Sequence, residues 1–112
     1  MENPNRSTQD ICTEIALFTL KPGLGEAYRE FRRAMDQFLR RQPGFLAWQT
    51  LKSEKLPGSL VRIVQWTDPD SAYAAEALFQ DSPEAGDFMA LVDEMRVREH
   101  FTPLETQIPV TH

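Results

Sequence analysis

The chain has 112 residues, 41% hydrophobic and 26% charged, with a formal net charge of −5 at pH 7. That length and composition suit one globular domain with a real core. The acidic balance excludes non-specific binding to nucleic acid or to an anionic membrane, which needs a basic face, and the single cysteine, Cys12, excludes an internal disulfide and a cysteine-based metal cluster.

Residues 1–10 are polar, follow no period and lack the apolar core of a signal peptide, so they read as a mobile tail. No apolar run is long enough to span a bilayer, and the expectation is a soluble, cytoplasmic protein with no membrane partner. Over 11–20 the pattern is a strand that is apolar on both parities. Ile11, Ile15 and Leu17 fall on one face, and Ala16, Phe18 and Leu20 on the other. Such a strand is covered on both faces, by helices on one and by something else, a partner subunit, on the other. Cys12 near its start reads as a small buried hydrophobe.

Lys21-Pro22-Gly23 suits a turn. The spacing of Leu24, Tyr28, Phe31, Met35, Phe38 and Leu39 then predicts a helix over 24–41 with one continuous apolar stripe. Arginines near its end suit the helix dipole, and Gln42-Pro43-Gly44 stops it. Two strands, 45–54 and 59–66, flank a hairpin connection at Lys55-Leu56-Pro57-Gly58. In the second of them Val61 and Ile63 form one row, and Leu60, Arg62, Val64 and Trp66 the other.

Thr67-Asp68-Pro69-Asp70-Ser71 is a helix start, with a capping side chain, a proline for the first turn and an acidic residue after it. Ala72, Ala75, Leu78 and Phe79 give that helix its buried side. A second start, Ser82 as cap and Pro83 in the first turn, breaks the helical region 70–95 in two. Phe88, Leu91, Val92 and Met95 carry the stripe onward. A last strand spans 96–104, and Pro103 and Pro109 mark an irregular arm over 105–112.

The order β-α-β-β-α-β over 11–104 predicts an α+β, ferredoxin-like sandwich: a four-stranded antiparallel sheet with helices on one face. The other face is left bare, and the parity argument places Phe18, Val64 and Trp66 on it. Burying such side chains is worth about 1.5–3 kcal/mol each, and a contiguous patch of them is too large for a monomer. A twofold homodimer is expected.

Trp66, at a strand end before a capped helix, can wall a pocket for a flat ligand, or can simply pack in the dimer interface. Trp48, Tyr73 and Phe18 can add aromatic surface to the same space or serve as ordinary packing. His100 is the one histidine away from the chain end, since His112 closes it, and is the natural general base near neutral pH. Arg62 and Glu14 are charges inside strands; facing inward they must pair or contact a ligand, because an unpaired buried charge is costly. One histidine with scattered carboxylates makes no metal site. No phosphate loop, nucleotide fingerprint or Ser-His-Asp spacing is present.

Three stretches, Leu20-Lys21-Pro22-Gly23, Gln42-Pro43-Gly44-Phe45 and Val64-Gln65-Trp66-Thr67-Asp68-Pro69-Asp70, make the chain resemble the antibiotic biosynthesis monooxygenase-like members of the dimeric α/β-barrel proteins. The resemblance spans about 11–104. It implies a homodimer whose sheets face each other as a barrel, with a pocket beside each sheet. Members of that family include oxygenases of aromatic polyketides that use no metal or flavin, haem-degrading enzymes, quinol oxygenases and many proteins of unknown role. The haem-degrading branch uses an asparagine in the first strand and a histidine in the second helix. Here Ala16 and Ala75 or Glu76 occupy those places, which argues against haem and weakens the quinol oxygenase assignment that shares the histidine.

The leading expectation is a cofactor-independent monooxygenase of an aromatic or quinol-type small molecule. Trp66 is its wall, His100 or Glu14 its base, and Arg62 and Tyr73 its polar anchors. The alternatives are a non-catalytic dimer that binds a small apolar metabolite, and a structural dimer whose own aromatics plug the cavity.

Overall fold

The computed structural model describes residues 11–107. The elements are β1 (Cys12–Leu20), α1 (Gly25–Arg40), β2 (Phe45–Lys52), β3 (Ser59–Trp66), α2 (Pro69–Gln80), α3 (Pro83–Leu91) and β4 (Val92–Phe101). The four strands pair antiparallel in the order β2-β3-β1-β4, and the helices lie on one face of the sheet. This is the ferredoxin-like α+β fold.

Tyr28, Phe31, Met35 and Leu39 form the buried side of α1, the 3.6-residue stripe seated on the sheet. Gly44, at φ +83°, turns the chain into β2, and a Cβ there would collide with Ser71 and Thr67. Only glycine combines that backbone with that approach. The Asp68 carboxylate caps α2 by accepting from the Ser71 N–H at 2.8 Å. The break between α2 and α3 falls where Ser82-Pro83 marks it. The Ser82 hydroxyl, however, donates back to the Phe79 carbonyl at 2.6 Å. It closes α2, and its side chain makes no capping bond to α3.

Four sequence expectations change. Leu78 is 57% exposed, and the buried stripe of α2 is Ala72, Ala75 and Phe79. Val92 and Met95 belong to β4, which begins four residues before the expected position 96. Their three-residue spacing mimics a helix because the strand is bulged. Val92 pairs with Leu20 and Met95 with Phe18, with register shifts between Leu17 and Phe18 and between Thr19 and Leu20. The extra residue brings both side chains to the same face. The strand also stops at Phe101, before Pro103, and residues 102–107 have no regular structure.

The fourth change concerns the faces of the sheet. Phe18, Val64 and Trp66 are 0–1% exposed and belong to the core beneath the helices. The bare face carries Ile11, Ile15, Leu17, Val61 and Ile63, all half-buried, with Val97 and Phe101 more exposed. Both rows of β1 and β3 are apolar, so parity alone left the choice of face open. The expected tail at 1–10, Pro109 and most of the arm at 105–112 lie outside the described residues. No helix among the described residues is long and apolar enough to cross a membrane.

Candidate active site

Antiparallel pairing lays the even-numbered residues of β1 in cross-strand rows beneath the helices. In one row Arg62 of β3 and Arg98 of β4 flank Ala16. In the next, Val64 and His100 flank Glu14. The methyl side chain of Ala16 leaves room between two long cationic ones, so the rows converge on a polar cluster inside an otherwise apolar layer.

His100 sits between two carboxylates. Its Nε2 lies 3.5 Å from Glu76 Oε2, contributed by α2, and 3.9 Å from Glu14 Oε1. Tyr73, one turn before Glu76, packs edge-on against the imidazole with ring centroids 5.0 Å apart, and is half-exposed at the rim. Arg98 Nη2 lies 3.9 Å from Glu76 Oε1. With the Gln80 amide turned oxygen-inward, that oxygen accepts from Arg98 at 2.9 and 3.0 Å.

Arg62 is only 4% exposed. Its guanidinium carbon lies 4.8 Å from the centre of the Phe88 ring and 6.0 Å from that of Phe31, a cation–π contact. Among the described residues, its Nε and Nη1 have no hydrogen-bond partner. Burial pushes its pKa down, opposed first by Glu14 and then by Tyr28, while Arg98 adds to the lowering. An arginine nonetheless stays charged. Trp66 is 1% exposed, packs edge-on against Phe45 at 5.9 Å, and its Nε1 likewise has no partner among the described residues.

Two small voids border Arg62. One, of about 10 Å³, is shared by Glu14, Met35, Trp66, Glu76 and Arg98. The other, also about 10 Å³, lies against Tyr28, Phe31, Met35, Trp48 and Thr50. Each has room for roughly one water. A larger guest has to separate the side chains between them, and Met35, unbranched and flexible, is the one best able to yield.

The sheet thus brings Glu14, Arg62 and Trp66 to one void and ties His100 to it through Glu14 and Glu76. Phe18 lies elsewhere, among the rings of Phe88 and Tyr28 at 5.1 and 6.2 Å. Trp48 faces the helices, where its Nε1 donates to Asp36 Oδ1 at 2.7 Å. Cys12 is buried, and desolvation, aided by the Glu14 and Asp68 carboxylates, pushes its thiol up.

Sequence reasoning missed Glu76 and Arg98 as site residues. Arg98 was within reach, because it lies two residues before His100 and so shares its face. Glu76 follows the buried Ala75 by one, and nothing in the helix pattern aims it at the sheet. Among the described residues, no group of three or more His, Cys, Asp or Glu side chains is placed to hold a metal ion.

Comparison with known proteins bears on this geometry. The model of a family described as antibiotic biosynthesis monooxygenase matches residues 11–91. The chain is similar to SnoaB, a cofactor-independent oxygenase from Streptomyces nogalater, at 28% identity and a TM-score of 0.71, covering 88% of this chain and 96% of that one. A mutant of SnoaB matches at 30% identity and a TM-score of 0.71, with 87% and 96% covered. PA3566 from Pseudomonas aeruginosa shares the fold at 24% identity and a TM-score of 0.64, with 88% and 98% covered. No curated protein matches significantly.

Proposed function

Because the chain belongs to the antibiotic biosynthesis monooxygenase family, we propose that it is a cofactor-independent monooxygenase. Its substrate is a small aromatic or quinol-type molecule, held between the sheet and its own helices. The observation that carries this reading is the cluster itself. A histidine between two carboxylates stands beside a buried guanidinium and a buried indole.

In this chemistry the substrate reduces oxygen itself. For an anthrone-type ring CH₂, His100 or Glu14 accepts one proton, and the carbanion passes one electron to O₂. The resulting radical and superoxide join as a peroxide, and loss of water leaves a new carbonyl. One oxygen atom enters the product and the other leaves as water. Glu14 and Glu76 flank His100 Nε2 and offset the positive charge the ring gains as a base. Arg62 and the Trp66 N–H face the negative charge that develops on the substrate oxygen, in a site where water is scarce. Tyr73 stands at the rim as a further polar anchor, and Trp66 is a wall.

A second copy of the chain covers the bare face of Ile15, Leu17, Val61, Ile63 and Val97 in this reading. Burial of those side chains supplies the drive for a homodimer. Oxygen uptake in the presence of an anthrone or a hydroquinone tests the activity. One O₂ consumed per product, at a rate proportional to protein, is expected. An identical product yield without protein would remove the reading.

The size of the voids favours a second reading, a dimer whose pocket is closed by its own side chains. It predicts no binding of any aromatic probe and no uptake of oxygen above background.

A further inference from the structure

Helix α2 and strand β4 meet through side chains whose spacings match. On α2, Glu76 and Gln80 are four residues apart and lie on one face, about 6 Å from each other along the axis. On β4, Arg98 and His100 are two residues apart and lie on one face, about 7 Å from each other. Along the contact the numbering runs opposite ways. Tyr73 lies against His100 and Gln80 against Arg98, with Glu76 between the two. Arg98 is fixed by two short bonds to the Gln80 oxygen, 2.9 and 3.0 Å, and its Nη2 lies 3.9 Å from Glu76 Oε1. The other oxygen of that carboxylate stops 3.5 Å from His100 Nε2, longer than a usual hydrogen bond. Nε2 is buried, and among the described residues it has no hydrogen-bond partner, although Glu14 Oε1 also stands 3.9 Å away.

A carboxylate beside a histidine ordinarily closes into a short charge-assisted pair that keeps the proton on the ring. Here each carboxylate has a guanidinium to attend to: Arg62 attracts Glu14, and Arg98 attracts Glu76. Two negative and two positive charges balance without the imidazole. The other groups nearby are Tyr73 and, beyond Glu14 on β1, the Cys12 thiol, which burial, Glu14 and Asp68 push up and so keep uncharged.

We propose that Arg98, anchored by Gln80, is a positioning residue that holds Glu76 back from His100 Nε2 and leaves that nitrogen open to accept a proton from a bound molecule. The inference rests on the reading of His100 as a base, and it adds the side chains that keep the base free. Loss of Arg98 lets the Glu76 carboxylate close on Nε2 and retain the proton there.

The test is a proton NMR titration of the histidine Cε1 protons in the full chain without ligand. The sequence has two histidines, His100 and His112, and His112→Gln assigns their signals. Removing the cation and releasing Glu76 should raise the His100 midpoint by about one pH unit in Arg98→Met. Arg98→Lys keeps the charge and should return the midpoint most of the way to the wild-type value. On a Glu76→Gln background the rise from Arg98→Met should be smaller, because the carboxylate that moves is gone. Arg98→Gln, which can still bond Gln80, should give the same rise and serves where Arg98→Met does not fold. No rise, or a fall, in the neutral variants overturns the proposal. So does an equal rise in Arg98→Lys. A rise of the same size with and without the Glu76 carboxylate also overturns it, because Arg98 then acts on the ring directly. The titration uses no substrate, so a protein that shows the shift but takes up no oxygen loses the oxygenase reading alone.

Discussion

Around Phe18 the space between sheet and helices is filled by rings. Phe88 meets Phe18 edge-on and stacks on Phe31, each at 5.1 Å, with Tyr28 behind them. Around Glu14, in the same layer and on the same strand, the space is filled by charges, with a small void and several buried donors lacking acceptors. The first half converts buried area into stability. The second spends part of that stability to keep polar groups out of water, as sites for chemistry commonly do. Arg62 joins them: its guanidinium rests on Phe88, a ring of the stable half, while its donors belong to the polar half.

Substitutions can pull this contrast apart. Phe88→Ala removes a ring shared by two aromatic neighbours at a site 1% exposed, and should lower the unfolding free energy by about 3–5 kcal/mol in urea titration. A loss under about 1 kcal/mol would show that the ring cluster is not what holds the layer. His100→Ala belongs to the other half. It should lower kcat for oxygen uptake roughly a hundredfold while the urea midpoint moves little, and an unchanged kcat would leave Glu14 as the base.

The bare face offers a third comparison, with the covered one. Ile63→Glu places a charge where a second copy is expected to pack. It should weaken the dimer by roughly 2 kcal/mol or more, seen as monomer in sedimentation at micromolar concentration with an unchanged circular dichroism spectrum. A wild-type protein that sediments as a monomer would refute the dimer outright.

The smallest effect lies at the edge of the layer. Asp36 is held below the usual carboxylate range, chiefly by its hydrogen bond from Arg40 and then by that from Trp48. Because its folded pKa is depressed, the stabilisation is present above the unfolded value, about pH 4, and is lost as pH falls through the lower folded value. Trp48→Phe should therefore show a lower melting temperature than wild type at about pH 7, with a gap that narrows toward about pH 2. A gap independent of pH would assign the difference to packing.

Much of this was legible in the chain. The stripe from Leu24 to Leu39 reads as α1, the Pro57-Gly58 hairpin sets β2 beside β3, and Asp68-Pro69 and Ser82-Pro83 place two helix starts. The bulge in β4 was not legible, because a strand with one extra residue reproduces the spacing of a helix over Val92 and Met95. The exposure of Leu78 was also hidden. It lies about one-quarter turn from Phe79, and only the neighbouring elements decide where the boundary of the buried side falls.

The sequence by itself determined the order of the elements, their approximate limits and the presence of charges within two strands, since periodicity and turn chemistry are local properties. Only the tertiary structure decided which face of the sheet the helices cover, because β1 and β3 are apolar on both. That choice put Trp66, Arg62 and Glu14 inside and the Ile15–Leu17 side outside. It also brought Glu76, from a helix, to within 3.5 Å of a histidine on the last strand. A contact between residues 24 positions apart depends on how a helix lands on a sheet, and no pattern along the chain encodes that.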